Sequence, residues 1–179
     1  MQRDFLIIAV TPPDFFPGEA HRITQILSDK EAHFVHIRKP GSAIGDMEEL
    51  ISTIPPEFHN HLKIHDHFNL IEKYDLGGCH LNGRNPLPHP MARSVSKSIH
   101  SLEEIPVAES LDYFFISPVF DSISKQGYKS TFDLDELSLM IKYKNGIALG
   151  GVTPEKFPLL VSLGFKGAAM LGYFFPQRL

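Results

Sequence analysis

Apolar residues gather in short runs along the chain, and stretches of helical periodicity separate most of them. The clear runs are Phe5–Val10, Phe34–Ile37, Tyr113–Ile116, Gly146–Leu149 and Gly167–Leu171, with weaker ones at Leu62–Ile64, Gly78–Leu81 and Arg93–Lys97. Each has strand length, and several are apolar throughout, as in strands covered on both faces. Between them, Glu19–Ser28 places Ile23, Ile26 and Leu27 on one stripe, and Ile44–Ile54 does so with Ile44, Met47, Leu50, Ile51 and Ile54. Ser101–Ala108 opens with a Ser followed by Glu104, the spacing of a capping box. Leu134–Tyr143 repeats Leu134, Leu137 and Ile141, and Thr153–Leu163 begins Thr-Pro-Glu and ends at Gly164.

Strand then helix, repeated, predicts parallel strands joined by right-handed crossovers. Seven or eight such units predict an α/β fold, a compact (β/α)8 TIM barrel, with an open flavodoxin-like sheet as runner-up. At 179 residues the barrel must economise, since the fold usually takes about 200 or more. The segment from Leu81 to Arg93 holds Pro86, Pro88 and Pro90, so the fourth helix should be vestigial. Only GYFFPQRL follows Leu171, so the C-terminal helix should be shortened too. A single domain over 1–179 is expected.

Composition narrows the function. The net charge of −4 argues against a broad nucleic-acid or polybasic membrane surface. One cysteine permits neither an intrachain disulfide nor a Cys-based zinc site. The N-terminal apolar run is too short for a signal peptide, and nothing approaches the roughly 20 apolar residues of a membrane span, so a cytoplasmic location is expected.

In barrel enzymes the chemistry sits where strands end. After the second run stand His36, Arg38 and Lys39, and an Arg fork beside a Lys charge suits phosphate. After the third come His65, Asp66 and His67. If the segment from His59 is extended, His59, His61, Lys63, His65 and His67 share a face, but they would span roughly 27 Å, too far for one ion. Asp66 reads equally as a Mg2+ ligand or as a helix cap. Arg84 follows the fourth run as a candidate phosphate ligand. Ser98 and His100 follow the fifth. A long loop with Ser122, Ser124 and Lys125 follows the sixth, a length common in lids and phosphate clamps. Gly150, Gly151 and Gly172 follow the last two runs, where barrels bind phosphate through backbone N–H groups. A small phosphorylated ligand is the expectation.

In this order the stretches SIHSLEE (Ser98–Glu104), DYFFISPVFDSISKQG (Asp112–Gly127), IALGGVTPE (Ile147–Glu155) and LGFKGAAML (Leu163–Leu171) resemble the thiamine phosphate synthase superfamily, which includes the thiazole tautomerases. HIRKP is similar to that family's Q-L-R-x-K, KIHDHFNL to I-N-D-R-x-D-L, and GGCHLNGRN to G-V-H-L-G-Q-x-D. The resemblance spans nearly the whole chain and implies a barrel that couples pyrimidine methyl diphosphate to thiazole phosphate. It implies Arg38, Ser98 and Lys125 on the diphosphate, Asp66 on Mg2+, and Gly151 on the thiazole phosphate. His36, Lys39, His65, His100, Ser122, Ser124, Gly150 and Gly172 would complete the substrate site. The departures are His36 for Gln, Pro40 for Lys, His65 for Asn, and Asn85 where the second metal carboxylate would fall. They leave open a tautomerase-like paralogue with His65 or His100 as base, and a non-catalytic barrel that binds a thiazole or thiamine phosphate. A homo-oligomer is left open as well.

Overall fold

The structure is a computed structural model, and it describes residues 5–108, 110–120, 139, 141 and 145–176. Its eight strands are β1 (Leu6–Val10), β2 (Phe34–Ile37), β3 (Leu62–Ile64), β4 (Gly78–Leu81), β5 (Ser94–Ile99), β6 (Tyr113–Ile116), β7 (Gly146–Leu149) and β8 (Gly167–Met170). They close in sequence order into a parallel barrel. The described helices are α1 (Glu19–Ser28), α2 (Ile44–Thr53), α3 (Leu70–Tyr74), α4 (Ile105–Ala108) and α5 (Phe157–Leu163). No helix joins β4 to β5, so the proline-rich segment makes the expected economy. The helix expected over Leu134–Tyr143 falls almost wholly outside the described residues. Backbone contacts divide the chain into two compact units, 9–95 and 1–8 with 96–179.

In the first unit, Val35 lies opposite Leu62, Ile37 opposite Ile64, and Ile64 opposite Cys79. Because side chains alternate across a strand, these five share one face, and His36, Lys63, His65 and His80 share the other. All five apolar residues are fully buried, each worth roughly 1.5–3 kcal/mol. The buried stripe of α1 (Ile23, Ile26, Leu27) is the one the periodicity predicts, and in α2 Met47, Leu50 and Ile51 are buried as expected with Ile54 just beyond its end, whereas Ile44 at its start is 42% exposed.

The segment before β3 departs from expectation. Pro56–His61 is a 3-10 helix, because Pro at its start presets helical φ. His59 and His61 therefore leave the face they would share with His65. His59 is buried instead, its Nδ1 2.9 Å from the Tyr74 carbonyl oxygen and its Nε2 2.9 Å from that of Ile54.

In the second unit, Ser98 pairs with Phe115, Phe115 with Ile147, and Ala148 with Ala168. Gly167 permits a close approach: a Cβ there would stand 2.3 Å from the Leu6 carbonyl oxygen. Helix α5 ends on Gly164 at φ 96°, whose N–H meets the Val161 carbonyl at 3.0 Å, the glycine stop expected of this sequence. The cap before α4 differs from the expected box. Glu104 accepts from the His100 N–H at 2.8 Å, one residue earlier than Ser101.

Candidate active site

The ends of β2, β3 and β4 bring three imidazoles together. His65 and His80 stack at 4.2 Å between centroids, and His36 meets both edge-on. His36 Nδ1 lies 3.1 Å from His65 Nε2. All three are buried, and burial pushes each toward the neutral form, His80 to about 3. The positive charge of Arg38 adds to this at His65 and His80. The cluster is a neutral, hydrogen-bonded layer beneath the strand ends. His80 is the member that sequence reasoning missed. The signal lay in register, since Ile64 opposite Cys79 puts His65 opposite His80 one residue further on.

Above this layer stand the charged groups. Arg38 is exposed, and its N–H is held by Thr11 Oγ1 at 3.0 Å. Asp66 is buried and locked by a fork: Arg84 Nε reaches its Oδ1 and Nη2 its Oδ2, both at 3.0 Å. Asn85 Nδ2 donates to the same Oδ1 at 2.9 Å and faces the His65 carbonyl oxygen at 3.2 Å. Asn82 fixes the turn, its Oδ1 accepting from the Arg84 and Asn85 N–H groups at 2.9 and 3.1 Å. Asp66 is therefore no helix cap; Asn69 takes that position before α3.

Lys39 does not join Arg38. Its side chain is fully buried, with Nζ 2.6 Å from Glu19 Oε1 and donating to the carbonyls of Pro12 and Asp14 at 2.8 and 2.9 Å. An ammonium has three protons, so nothing remains for a phosphate. The expected phosphate contact is instead an internal ion pair, because the backbone after β2 turns this side chain under the Phe15 ring.

In the second unit, Gly150 (φ 92°) and Gly151 (φ 60°) turn the chain after β7 through left-handed conformations. A Cβ on Gly150 would meet Pro118 Cβ at 2.8 Å. Lys156 Nζ reaches the Gly151 carbonyl at 2.5 Å and lies over the Phe120 ring, placing a cation beside the glycine turn that the sequence reading did not single out. Gly172 lies in the turn after β8, and Ser98 shares a face of β5 with Ser96. His100 is exposed, its Nδ1 2.8 Å from the Ser117 carbonyl oxygen. Ser122, Ser124 and Lys125 lie outside the described residues.

A closed parallel barrel with cations and glycine turns after its strands defines a class of barrel proteins suited to phosphorylated small molecules. A sequence model of the thiamine monophosphate synthase family matches residues 7–173, and the chain belongs to that family. It is similar to the thiamine-phosphate synthases of Synechococcus sp. (strain CC9605), 28% identical over 62% of this chain and 34% of that protein, and of Parasynechococcus marenigrum (strain WH8102), 28% identical over 95% and 51%. The chain thus spans about half or less of the curated relatives it matches. Among solved structures, thiamine phosphate pyrophosphorylase from Bacteroides thetaiotaomicron is 36% identical with TM-score 0.80, over 94% of this chain and 83% of that one. The Pyrococcus furiosus enzyme of the same name, at 19% identity and TM-score 0.75 over 94% of this chain and 86% of that one, shares the fold. No described helix is long and apolar enough to cross a membrane.

The family is generally Mg2+-dependent. The residues described here do not fit a carboxylate-built Mg2+ centre. Such a centre needs free carboxylate oxygens. Both oxygens of Asp66 are taken by Arg84 and Asn85, and Asn85 turns a donor, not an oxygen, toward it.

Proposed function

We propose that this chain couples pyrimidine methyl diphosphate to thiazole phosphate, making thiamine phosphate and diphosphate. The carbon–oxygen bond to diphosphate breaks with its electron pair leaving on oxygen, and the thiazole nitrogen then bonds to the methylene carbon. Charge develops on the leaving group, so cations set beside it lower the barrier. In this reading Arg38, Ser98 and Lys125 hold the diphosphate, with Ser122 and Ser124 beside Lys125. The Gly150–Gly151 turn, with Gly172, takes the thiazole phosphate through backbone N–H groups. His36 and His65, buried and pushed toward the neutral form, belong to the substrate site in this reading. His100 is counted with the substrate-binding residues in this reading.

The observation that carries this reading is the likeness to a thiamine phosphate pyrophosphorylase at 36% identity over 94% of the chain. We take the chain to act as a single domain in the cytoplasm. The test is a coupling assay on purified protein with both substrates, reading diphosphate release and thiamine phosphate together. Equimolar formation of the two supports the reading. Conversion of thiazole carboxylate phosphate to its tautomer without coupling would replace it with the tautomerase alternative. Binding of thiazole phosphate with neither reaction would leave a non-catalytic barrel.

A further inference from the structure

We propose that Arg84, clamped by Asp66, binds the substrate's diphosphate directly and takes the place of a divalent metal at this site. The inference rests on the coupling reading for the identity of the diphosphate ester; the anion site itself rests on geometry. A guanidinium carries five N–H donors in a fixed plane. The fork onto Asp66 uses the Nε donor and one Nη2 donor, which leaves three pointing away from the carboxylate. The Arg84 side chain is 56% exposed while that of Asp66 is 11% exposed, so the pair sits with its anion inward and its free donors outward. Arg38, also exposed, follows the end of the neighbouring strand β2.

Charge balance points the same way. A cage of two carboxylates around a dication sums to zero, and so do Asp66, Asn85 and Arg84 together. The electrostatic background offered to a diphosphate is unchanged, but the cation is now covalently part of the chain. Asn85 completes the exchange, since an amide can donate to Asp66 beside a guanidinium, where a second carboxylate would repel it. A preformed fork also loses little freedom when it meets phosphate oxygens.

The experiment titrates the full chain with inorganic pyrophosphate by calorimetry, in EDTA and in Mg2+, beside Arg84→Ala and Arg84→Lys. Thermal melts check that each variant is folded, which the exposure of Arg84 favours. The expected result is wild-type binding in EDTA that weakens about tenfold or more in Arg84→Ala and recovers in part in Arg84→Lys. Mn2+ titrated by electron paramagnetic resonance should stay free with the wild type, and the double variant Arg84→Gly with Asn85→Asp should retain it. Pyrophosphate binding that needs Mg2+ in the wild type, or equal affinity of Arg84→Ala in EDTA, would overturn the proposal. These readouts need no turnover. A chain that binds pyrophosphate in EDTA yet couples nothing refutes the coupling reading alone, and coupling abolished by chelator refutes this inference alone.

Discussion

Acid should unfold this protein through His36, His65 and His80. Each is buried in its neutral form, and an unfolded chain would protonate it near its ordinary value of 6.5. Below that value the unfolded state therefore binds more protons than the native state, so stability falls as pH falls. For His80, held down to about 3, the window runs from 6.5 to 3. The slope there is about 1.4 kcal/mol per pH unit, which removes about 2 kcal/mol by pH 5. His36 and His65, pushed in the same direction chiefly by burial, add losses of the same sign over the same side of 6.5. The perturbation is His80→Phe, which keeps a ring in the stack and removes one titration. Urea unfolding at pH 7.5 and pH 5.0 gives the stability loss of each protein. Removing His80 also removes its repulsion of a charge on His36 and His65, which eases their share of the loss, so the variant should lose about 2 kcal/mol less than the wild type, or more, between the two pH values. Equal losses would show that His80 is not held neutral, and the argument from burial would fail.

Further outcomes attach to particular residues. Lys39→Met should cost about 3–5 kcal/mol in urea unfolding because it strands buried Glu19, and adding Glu19→Gln should recover most of it; pyrophosphate affinity should stay unchanged in the double variant. Gly150→Ala should lower stability by about 1–3 kcal/mol, since a Cβ meets Pro118 at a φ that L residues rarely adopt, while Gly151→Val should abolish phosphate binding measured by calorimetry. His59→Leu should cost about 1–3 kcal/mol in thermal or urea unfolding by removing the ring N–H that serves the buried carbonyls around it, those of Tyr74 and Ile54. Lys125→Ala should leave the melting temperature unchanged and weaken pyrophosphate by about 1–3 kcal/mol, with unaltered affinity removing Lys125 from the site.

The strand pattern was most legible where residues on both faces are buried, which turns a strand such as β6 or β8 into a contiguous apolar run. β6, read YFFI, and β2, read FVHI, match their observed limits for that reason. Helix α1 was legible because its buried residues recur at helical spacing. The site was harder to read, because its contacts depend on neighbours distant in sequence. Lys39 looked like a phosphate ligand from its place beside Arg38, and only the return of Glu19 beside it makes it internal. Asp66 looked free until the turn at Asn82 delivered Arg84 and Asn85 onto it. His80 sat in a run read for its apolar neighbours, and its meaning lay in the pairing of two strands.

The polar face shared by β2, β3 and β4 also bears on how the sheet finds its alignment. Where both sides of a strand are covered, an aliphatic run slides by one residue with little hydrophobic penalty, because either set of side chains can be buried. Strands such as β6 and β8 carry that ambiguity. β3 does not: Lys63 must reach the Gly77 carbonyl, which it meets at 2.6 Å, and His65 must meet His36. A slip of one position would turn the ammonium and the imidazole among the aliphatic residues of the opposite face, with no acceptor to receive them. The buried polar residues thus act as a ratchet for strand pairing, and replacing Lys63, His36 and His65 together by aliphatic residues would yield a chain more greasy inside yet less certain of its own register.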